Sequence, residues 1–188
     1  MSERFERVIA AIDAANAADP NLDQATGRPA EVLYGERMSE ELARLAPDAP
    51  EAVKIAARGQ HIERWKSPRE SYPEGRAGYL AWRTDLGRFH AERVAELMAD
   101  AGYGEAERAA VSSLLRKEGI KRNPDTQLLE DTICFVFVRH YFAAFAAKHQ
   151  DDDVMRILTK TARKMSPEAR ARMAAEFDLP PHLAPALA

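Results

Sequence analysis

The chain contains 188 residues with a mass of 21.0 kDa, a length that favours one compact domain with a buried core. Its formal net charge of −3 excludes a generally basic nucleic-acid-binding surface, although a local basic patch is compatible with it. The single cysteine, Cys134, excludes an internal disulfide framework and a multi-cysteine zinc site. No segment has the ~18–20 apolar residues of a membrane helix, and the charged N-terminal segment lacks the features of a signal peptide. We therefore expect a cytoplasmic protein that does not enter the membrane.

Apolar residues recur at helical spacing from the start of the chain, which predicts helices rather than strands. The first apolar stripe, Phe5–Ala15, ends before Pro20, and the residues that follow are rich in Asn, Asp, Gly and Pro, as in a loop. A second helix is predicted to begin at Pro29 and to stop at Pro47. A third helix is predicted over 51–65.

Residues 66–76 contain two prolines and a glycine, a composition typical of an irregular segment. The remaining helices are predicted over about 77–101, 105–117 and 125–148, after the acidic residues 151–153, and from Pro167. We find no strand alternation and no linker composition. The sequence thus predicts an all-α protein: one bundle of about seven or eight helices over residues 1–178, with a loosely ordered tail over 179–188.

Three polar side chains, His61, His90 and Asp131, fall on the apolar stripes of three different predicted helices. Burying a polar group without a partner costs a few kcal/mol, so each of them needs a partner inside the protein. Considered singly, each of these side chains is explained by a structural role as a hydrogen-bonded residue of the core. Taken together, two imidazoles and a carboxylate are a donor set that a divalent metal accepts, which predicts a mononuclear centre holding Fe, Mn, Zn or Ni.

A second group of residues is basic and aromatic. Between residues 58 and 93 the chain carries eight Lys and Arg against five Asp and Glu. Guanidinium groups bind phosphate and carboxylate through paired donors, although a solvated basic face gives the same pattern. The segment 66–76 is placed to cover a pocket between two histidine-bearing helices. The candidate substrate-binding residues are Arg64, Arg69, Arg76, Arg83, Tyr72, Trp82 and Lys117.

Four strings in the chain, QHIERW, SPRESYPEGRAGYLAWR, RFHAERV and LEDTICFVF, resemble those of an uncharacterised family of helical proteins of similar length. The likeness extends from RFERVIAAIDAANA near the N-terminus to about residue 165. It implies an all-helical fold and brings no known reaction with it.

A weaker likeness is to the HD-domain metal-dependent phosphohydrolases, which are all-helical. His61 in AARGQHIERW and Asp131 in LEDTICFVF match the metal-binding His and Asp of that family, and His90 matches an additional His of some members. Tyr34 stands where the family has its first His, and Ile62 stands where it has the paired Asp. The resemblance thus implies an HD-like fold and one metal bound by His61, His90 and Asp131, but not a two-metal site.

These observations predict a mononuclear metal-dependent hydrolase, phosphohydrolase-like, that acts on a small anionic substrate. A metal lowers the pKa of its bound water, and Glu130 or Glu36 would orient or deprotonate that water. The same donor pattern also occurs in non-haem iron oxygenases. Two alternatives stay open: a non-catalytic binding module for a phosphate- or carboxylate-bearing small molecule or RNA, and a helical interaction protein. A homodimer is compatible with all of these functions. The negative net charge disfavours RNA.

Overall fold

Helices form nearly all the regular structure of the chain, which confirms the prediction of an all-α protein. The computed structural model describes residues 2–187, and this part of the chain contains nine α-helices, short 3-10 and π-helical segments and no strand. None of the described helices combines the length and apolar content needed to cross a bilayer. The chain divides into two compact units, Met1–Glu118 and Gly119–Ala188.

A capping serine and two prolines determine where the first three helices of the first unit begin. The Ser2 hydroxyl accepts a hydrogen bond from the backbone N–H of Phe5 at 3.3 Å and caps the first helix, while the second and third helices begin directly after Pro29 and Pro50. The helices of this unit are α1 (Glu3–Asn16), α2 (Ala30–Leu45), α3 (Glu51–Gly59), α4 (Gly75–Asp100) and α5 (Glu105–Leu115).

The third helix is shorter than the predicted segment 51–65, because α3 ends at Gly59. Beyond it the backbone turns, and Glu63 adopts a left-handed conformation with φ of 50° before a 3-10 turn at Arg64–Lys66. The buried Asn16 side chain accepts a hydrogen bond from the Glu63 N–H at 2.8 Å and fixes this turn. His61 therefore lies in a turn rather than at the end of a helix.

Helices α3 and α4 approach each other closely at Gly59. A Cβ atom at this position would stand 2.5 Å from Cγ2 of Val94, so any other residue would force its surroundings to shift. Val94 follows His90 by one helical turn on α4, and Gly59 precedes His61 by two residues. The close approach therefore brings the two histidines toward the same region of the first unit.

The second unit contains four of the α-helices. Its first helix begins at Pro124, where the Asn123 side chain accepts hydrogen bonds from two backbone N–H groups. Its core includes Leu129, Phe135 and Leu158, which are almost completely buried. The helices are α6 (Pro124–Val136), α7 (Phe142–Ala146), α8 (Asp151–Ala162) and α9 (Pro167–Glu176).

A π-helical turn accounts for the difference between the expected seven or eight helices and the nine observed. The sequence predicts one helix over 125–148, but a π-helical segment at Phe137–Tyr141 separates α6 from α7. In this segment the N–H of Phe142 bonds to the carbonyl of Phe137, the wider turn that defines a π-helix. Within the predicted tail 179–188, Leu183 and Ala186 are buried in the second unit.

Candidate functional site

A cavity of about 360 Å³ lies in the first unit, and we call it the histidine cavity. Gln60 and His61, in the turn after α3, form one part of its wall, and six residues of α4 between Arg83 and His90 form another. Residues 115–118, at the end of α5, complete the lining. Lys117 in this last segment has φ of 59°, a left-handed conformation that is uncommon outside glycine and that is often found at functional sites.

His61 is held by contacts on its face and on one ring nitrogen. Tyr34 stacks flat on the imidazole, with ring centroids 3.8 Å apart and an interplanar angle of 9°. Nδ1 of His61 lies 3.2 Å from Oε2 of Glu31 and 3.4 Å from a guanidinium nitrogen of Arg64. Burial, followed by the cations Arg64 and Arg83 and by His90 and Lys117, lowers the pKa of His61 well below 6.5. The ring is therefore neutral at pH 7.

His90 is the more deeply buried of the two imidazoles, with 4% of its surface exposed. Its ring centroid lies 6.2 Å from that of His61. Burial, followed by the charges of Arg64 and Arg83, lowers the pKa of His90 to about 3, although the backbone carbonyl of Gln60 acts in the opposite direction. His90 is therefore also neutral at pH 7. Among the described residues, its Nε2 atom has no hydrogen-bond partner.

Cations outnumber acids on the cavity wall. Four of the described lining residues are cationic, Arg83, Arg88, Arg116 and Lys117, and one, Glu118, is acidic. Glu118 accepts a hydrogen bond from Arg116 at 2.7 Å, which offsets one of these charges. Nη1 of Arg88 lies 3.4 Å from Oδ1 of Asp85, which offsets a second. The remaining excess of positive charge next to two neutral imidazoles is typical of a site for anions.

Two of the predicted substrate-binding residues, Arg64 and Trp82, are not part of the cavity lining. The Arg64 guanidinium lies over the Trp82 ring, 5.3 Å from its centroid, and contacts His61. The Trp82 indole N–H donates to the carbonyl of Ser67 at 2.9 Å, so this buried ring anchors the segment between α3 and α4.

Three further predicted residues hold that segment together or lie outside the cavity. Arg69 donates to the carbonyls of Tyr72 and Pro73, at 3.0 and 2.9 Å, and the Tyr72 hydroxyl donates to Asp85 at 3.1 Å. Arg76 is exposed in the first turn of α4 and does not belong to the cavity wall. Of the seven substrate-binding candidates, the cavity lining therefore includes Arg83 and Lys117.

The two candidate catalytic acids are engaged in ion pairs. The Arg28 guanidinium donates to both carboxylate oxygens of Glu36, at 2.6 and 2.7 Å, and holds the pKa of that carboxyl below its usual value. Glu130, in the second unit, is 2% exposed and lies 3.5 Å from Nζ of Lys164. A different acid, Glu31, is the carboxylate that contacts a cavity histidine, and burial raises its pKa to about 7.

Asp131 lies in the second unit, and its carboxylate accepts three hydrogen bonds there. Oδ1 accepts from the Ser166 backbone N–H and from the Gln127 side chain, both at 2.9 Å, and Oδ2 accepts from the Ser166 hydroxyl at 2.8 Å. Because Ser166 caps α9, these bonds tie the start of α9 to α6. Burial raises the pKa of Asp131 despite them.

The structure thus brings together the two predicted imidazoles of the metal site. In the described part of the chain, no group of three or more His, Cys, Asp or Glu residues is arranged to hold a metal ion. Gln60 and Arg88, which line the cavity, were missed by the sequence analysis. Each stands one or two residues from a cavity histidine, and this closeness in the sequence is the feature that could have identified them.

The fold and cavity define an all-helical protein with a cationic pocket built around two neutral histidines. The chain matches, over residues 6–187, the model of a family described as a domain of unknown function, DUF4202, and it belongs to that family. This confirms the expected membership of an uncharacterised family. No curated protein and no solved structure matches the chain.

Proposed function

We propose that the first unit binds a small anionic ligand, bearing a phosphate or carboxylate group, in the histidine cavity. The observation that carries this proposal is the charge of the wall, where four cations and one acid surround two neutral imidazoles. Guanidinium groups offer paired N–H donors to the oxygens of such anions. The volume of about 360 Å³ lies at the lower end of ligand pockets, which fits a small molecule better than a polymer.

The neutrality of the two imidazoles supports an anion site in a second way. A buried histidine that became charged would pay a desolvation cost beside Arg64 and Arg83, so the rings stay neutral and act as hydrogen-bonding groups. The positive charge of the cavity is then concentrated on its Arg and Lys side chains. These lie on α4 and after α5, so two separate segments of the chain contribute cations to one cavity.

The experiment is a calorimetric titration of the full chain with inorganic phosphate and with citrate, at two salt concentrations. We expect binding that weakens as salt rises, and we expect Arg83→Gln to lower the affinity for the better probe by about tenfold or more, since a hydrogen bond to a charged group contributes about 1.5–3 kcal/mol. Arg163→Gln is the matched control, because the same charge is removed from an exposed position of the second unit. An equal loss in both variants, or no binding of either anion, would refute the proposal.

The metal-dependent, phosphohydrolase-like reaction with an HD-like fold is the second candidate function. The contact between Glu31 and Nδ1 of His61 supports it, because proteins often orient metal-binding imidazoles through such a carboxylate. Among the described residues, however, no three His, Cys, Asp or Glu side chains are arranged to hold a metal ion here, and the surrounding cations oppose a divalent ion. The described residues therefore do not fit the predicted three-ligand centre, and we derive no step through a metal.

Elemental analysis separates the two candidates. We expect the purified wild type and the His90→Ala variant to carry equally little Fe, Mn, Zn or Ni. A stoichiometric metal in the wild type that is lost in His90→Ala, together with phosphatase activity that depends on it, would favour the hydrolase. Circular dichroism of both proteins shows whether the variant keeps its helical content.

A further inference from the structure

We infer that Nε2 of His61 is a phosphoryl acceptor: a donor bound in the histidine cavity transfers its phosphoryl group to this atom and forms a phosphohistidine. The donor belongs to the class of small activated phosphoryl compounds, the phosphoramidates and acyl phosphates. The inference rests on the proposed function, because it assumes that the cations of the cavity bind the phosphoryl group as an anion. It goes beyond that function by assigning a covalent modification to one side chain.

The contacts of His61 leave Nε2 as the accessible nitrogen of its ring. Glu31 and Arg64 both contact Nδ1, and Tyr34 covers one face of the imidazole. Nε2 of His61 makes no hydrogen bond to a described residue, yet it is not among the buried atoms that lack a partner, as Nε2 of His90 is. It therefore keeps accessible surface. His61 lines the histidine cavity, and 14% of its side chain is exposed.

Glu31 favours the tautomer that a nucleophilic Nε2 needs. A carboxylate accepts hydrogen bonds, so the ionised Glu31 at 3.2 Å favours a proton on Nδ1 and leaves the lone pair on Nε2. The stacked Tyr34 ring restricts rotation of the imidazole. A nucleophile whose orientation and protonation are set by an adjacent base is the usual arrangement for covalent catalysis. His61 is also neutral at pH 7, so no proton blocks the lone pair.

The cations near His61 supply what a phosphoryl transfer requires. Arg64, Arg83 and Lys117 are close enough for their charges to act on the imidazole, and Arg83 and Lys117 also line the cavity. Positive charge fixed in a cavity attracts the anionic donor. It also stabilises the negative charge of the phosphoryl group during transfer and in the product.

The transfer replaces one bond to phosphorus by another. With phosphoramidate as the donor, the lone pair of Nε2 forms a bond to phosphorus, the P–N bond of the donor breaks, and its electron pair leaves on the nitrogen of ammonia. The Nδ1 proton of His61 passes to the carboxylate of Glu31, so the modified ring is neutral. Nδ1 then carries a lone pair, and the Arg64 guanidinium nitrogen at 3.4 Å is placed to donate to it.

The test is incubation of the full chain with phosphoramidate, followed by mapping of the modified histidines by mass spectrometry at alkaline pH. His149 is the matched control in the same chain. It is exposed, its ring stacks on Phe145, and its Nδ1 lies 2.8 Å from the Phe145 carbonyl, so its Nε2 also carries the lone pair, but it does not line the cavity. We expect His61 to be modified about tenfold or more faster than His149, because the cations concentrate the donor.

Two further measurements connect the modification to the cavity. Inorganic phosphate should slow the modification of His61 by competition and leave that of His149 unchanged. Arg83→Gln should slow it by about tenfold, whereas Arg163→Gln, at an exposed position of the second unit, should not. Modification of His61 that inorganic phosphate does not slow would overturn the inference, because the donor would then react outside the anion site.

The outcomes separate this inference from the proposed function. If inorganic phosphate binds in the calorimetric titration but His61 is modified no faster than His149, the inference is overturned and the anion site stays intact. If neither inorganic phosphate nor citrate binds and the two rates are equal, both are overturned. The comparison of the two histidines uses the wild type, so it decides the question even if Arg83→Gln does not fold.

Discussion

Two imidazoles kept neutral inside a cationic cavity make the stability of the first unit depend on pH. In the unfolded chain each histidine titrates near its ordinary value of 6.5, whereas burial lowers the pKa of His90 to about 3 and that of His61 well below 6.5. The unfolded state therefore binds protons that the folded state does not accept. By linkage, the stability that the two histidines contribute is fully present above pH 6.5 and is lost as the pH falls below it.

This argument predicts the behaviour of a variant at His90. Between pH 7.5 and pH 5.5, His90 should account for about 1.4 kcal/mol of lost unfolding free energy, the value for one proton bound only by the unfolded chain. Urea denaturation of His90→Phe at these two pH values should show a loss smaller by that amount than in the wild type. A loss in His90→Phe equal to that of the wild type would contradict a buried neutral His90.

The titration of Glu31 should change stability with pH in the direction opposite to that of the histidines, because burial raises the pKa of Glu31 to about 7. A carboxyl that is protonated more readily in the folded state destabilises the fold as the pH rises from about 4.5 to 7. Glu31→Gln removes this titration and leaves a group that hydrogen-bonds to His61. Relative to the wild type, the variant should gain about 2 kcal/mol of unfolding free energy between pH 5 and pH 8. Parallel urea titrations measure this difference, and a constant difference would show that Glu31 titrates normally.

At the scale of the helices, the close approach of α3 and α4 holds the two histidines in one cavity. Gly59→Ala would place a Cβ atom 2.5 Å from Val94, and we expect overpacking to cost about 1–3 kcal/mol of unfolding free energy. Adding Val94→Ala should recover part of the lost unfolding free energy, because the smaller side chain makes room for the new Cβ atom. A double-mutant cycle in urea measures this coupling.

Gly87→Ala is the matched control within α4. A Cβ atom there would lie 3.5 Å from the carbonyl oxygen of Leu115, which is an ordinary contact. Because alanine is favoured over glycine inside a helix by about 0.5–1 kcal/mol, this variant should be as stable as the wild type or more stable. Equal destabilisation by Gly59→Ala and Gly87→Ala would show that the approach at Gly59 is not specially tight.

At the scale of the whole molecule, the sequence predicts the properties that depend on local spacing. Apolar residues at helical intervals predict the all-α fold, and the stripes that carry His61 and His90 mark them as inward-facing. The π-helical turn at Phe137–Tyr141 was missed because its residues continue the apolar pattern of a helix. The contact between Glu31 and His61 joins residues thirty positions apart and depends on how the helices pack, so periodicity could not distinguish Glu31 from Glu36. The predicted metal centre required a third donor from another helix, which spacing alone cannot locate.

The positions of the tryptophans and of the cysteine allow ligand binding to be assigned to one of the two units. Both tryptophans, Trp65 and Trp82, belong to the first unit, whereas the only cysteine, Cys134, is buried in the second. Every described residue that lines the histidine cavity also belongs to the first unit.

A ligand that binds only the folded form stabilises it by about 2.7 kcal/mol at one hundred times its Kd. Inorganic phosphate at that concentration should therefore raise the urea midpoint detected by tryptophan fluorescence, and sodium chloride at equal ionic strength should not. Reaction of Cys134 with a thiol reagent reports the opening of the second unit in the same samples. A ligand-dependent shift seen with Cys134 but not with tryptophan fluorescence would place the anion site outside the histidine cavity.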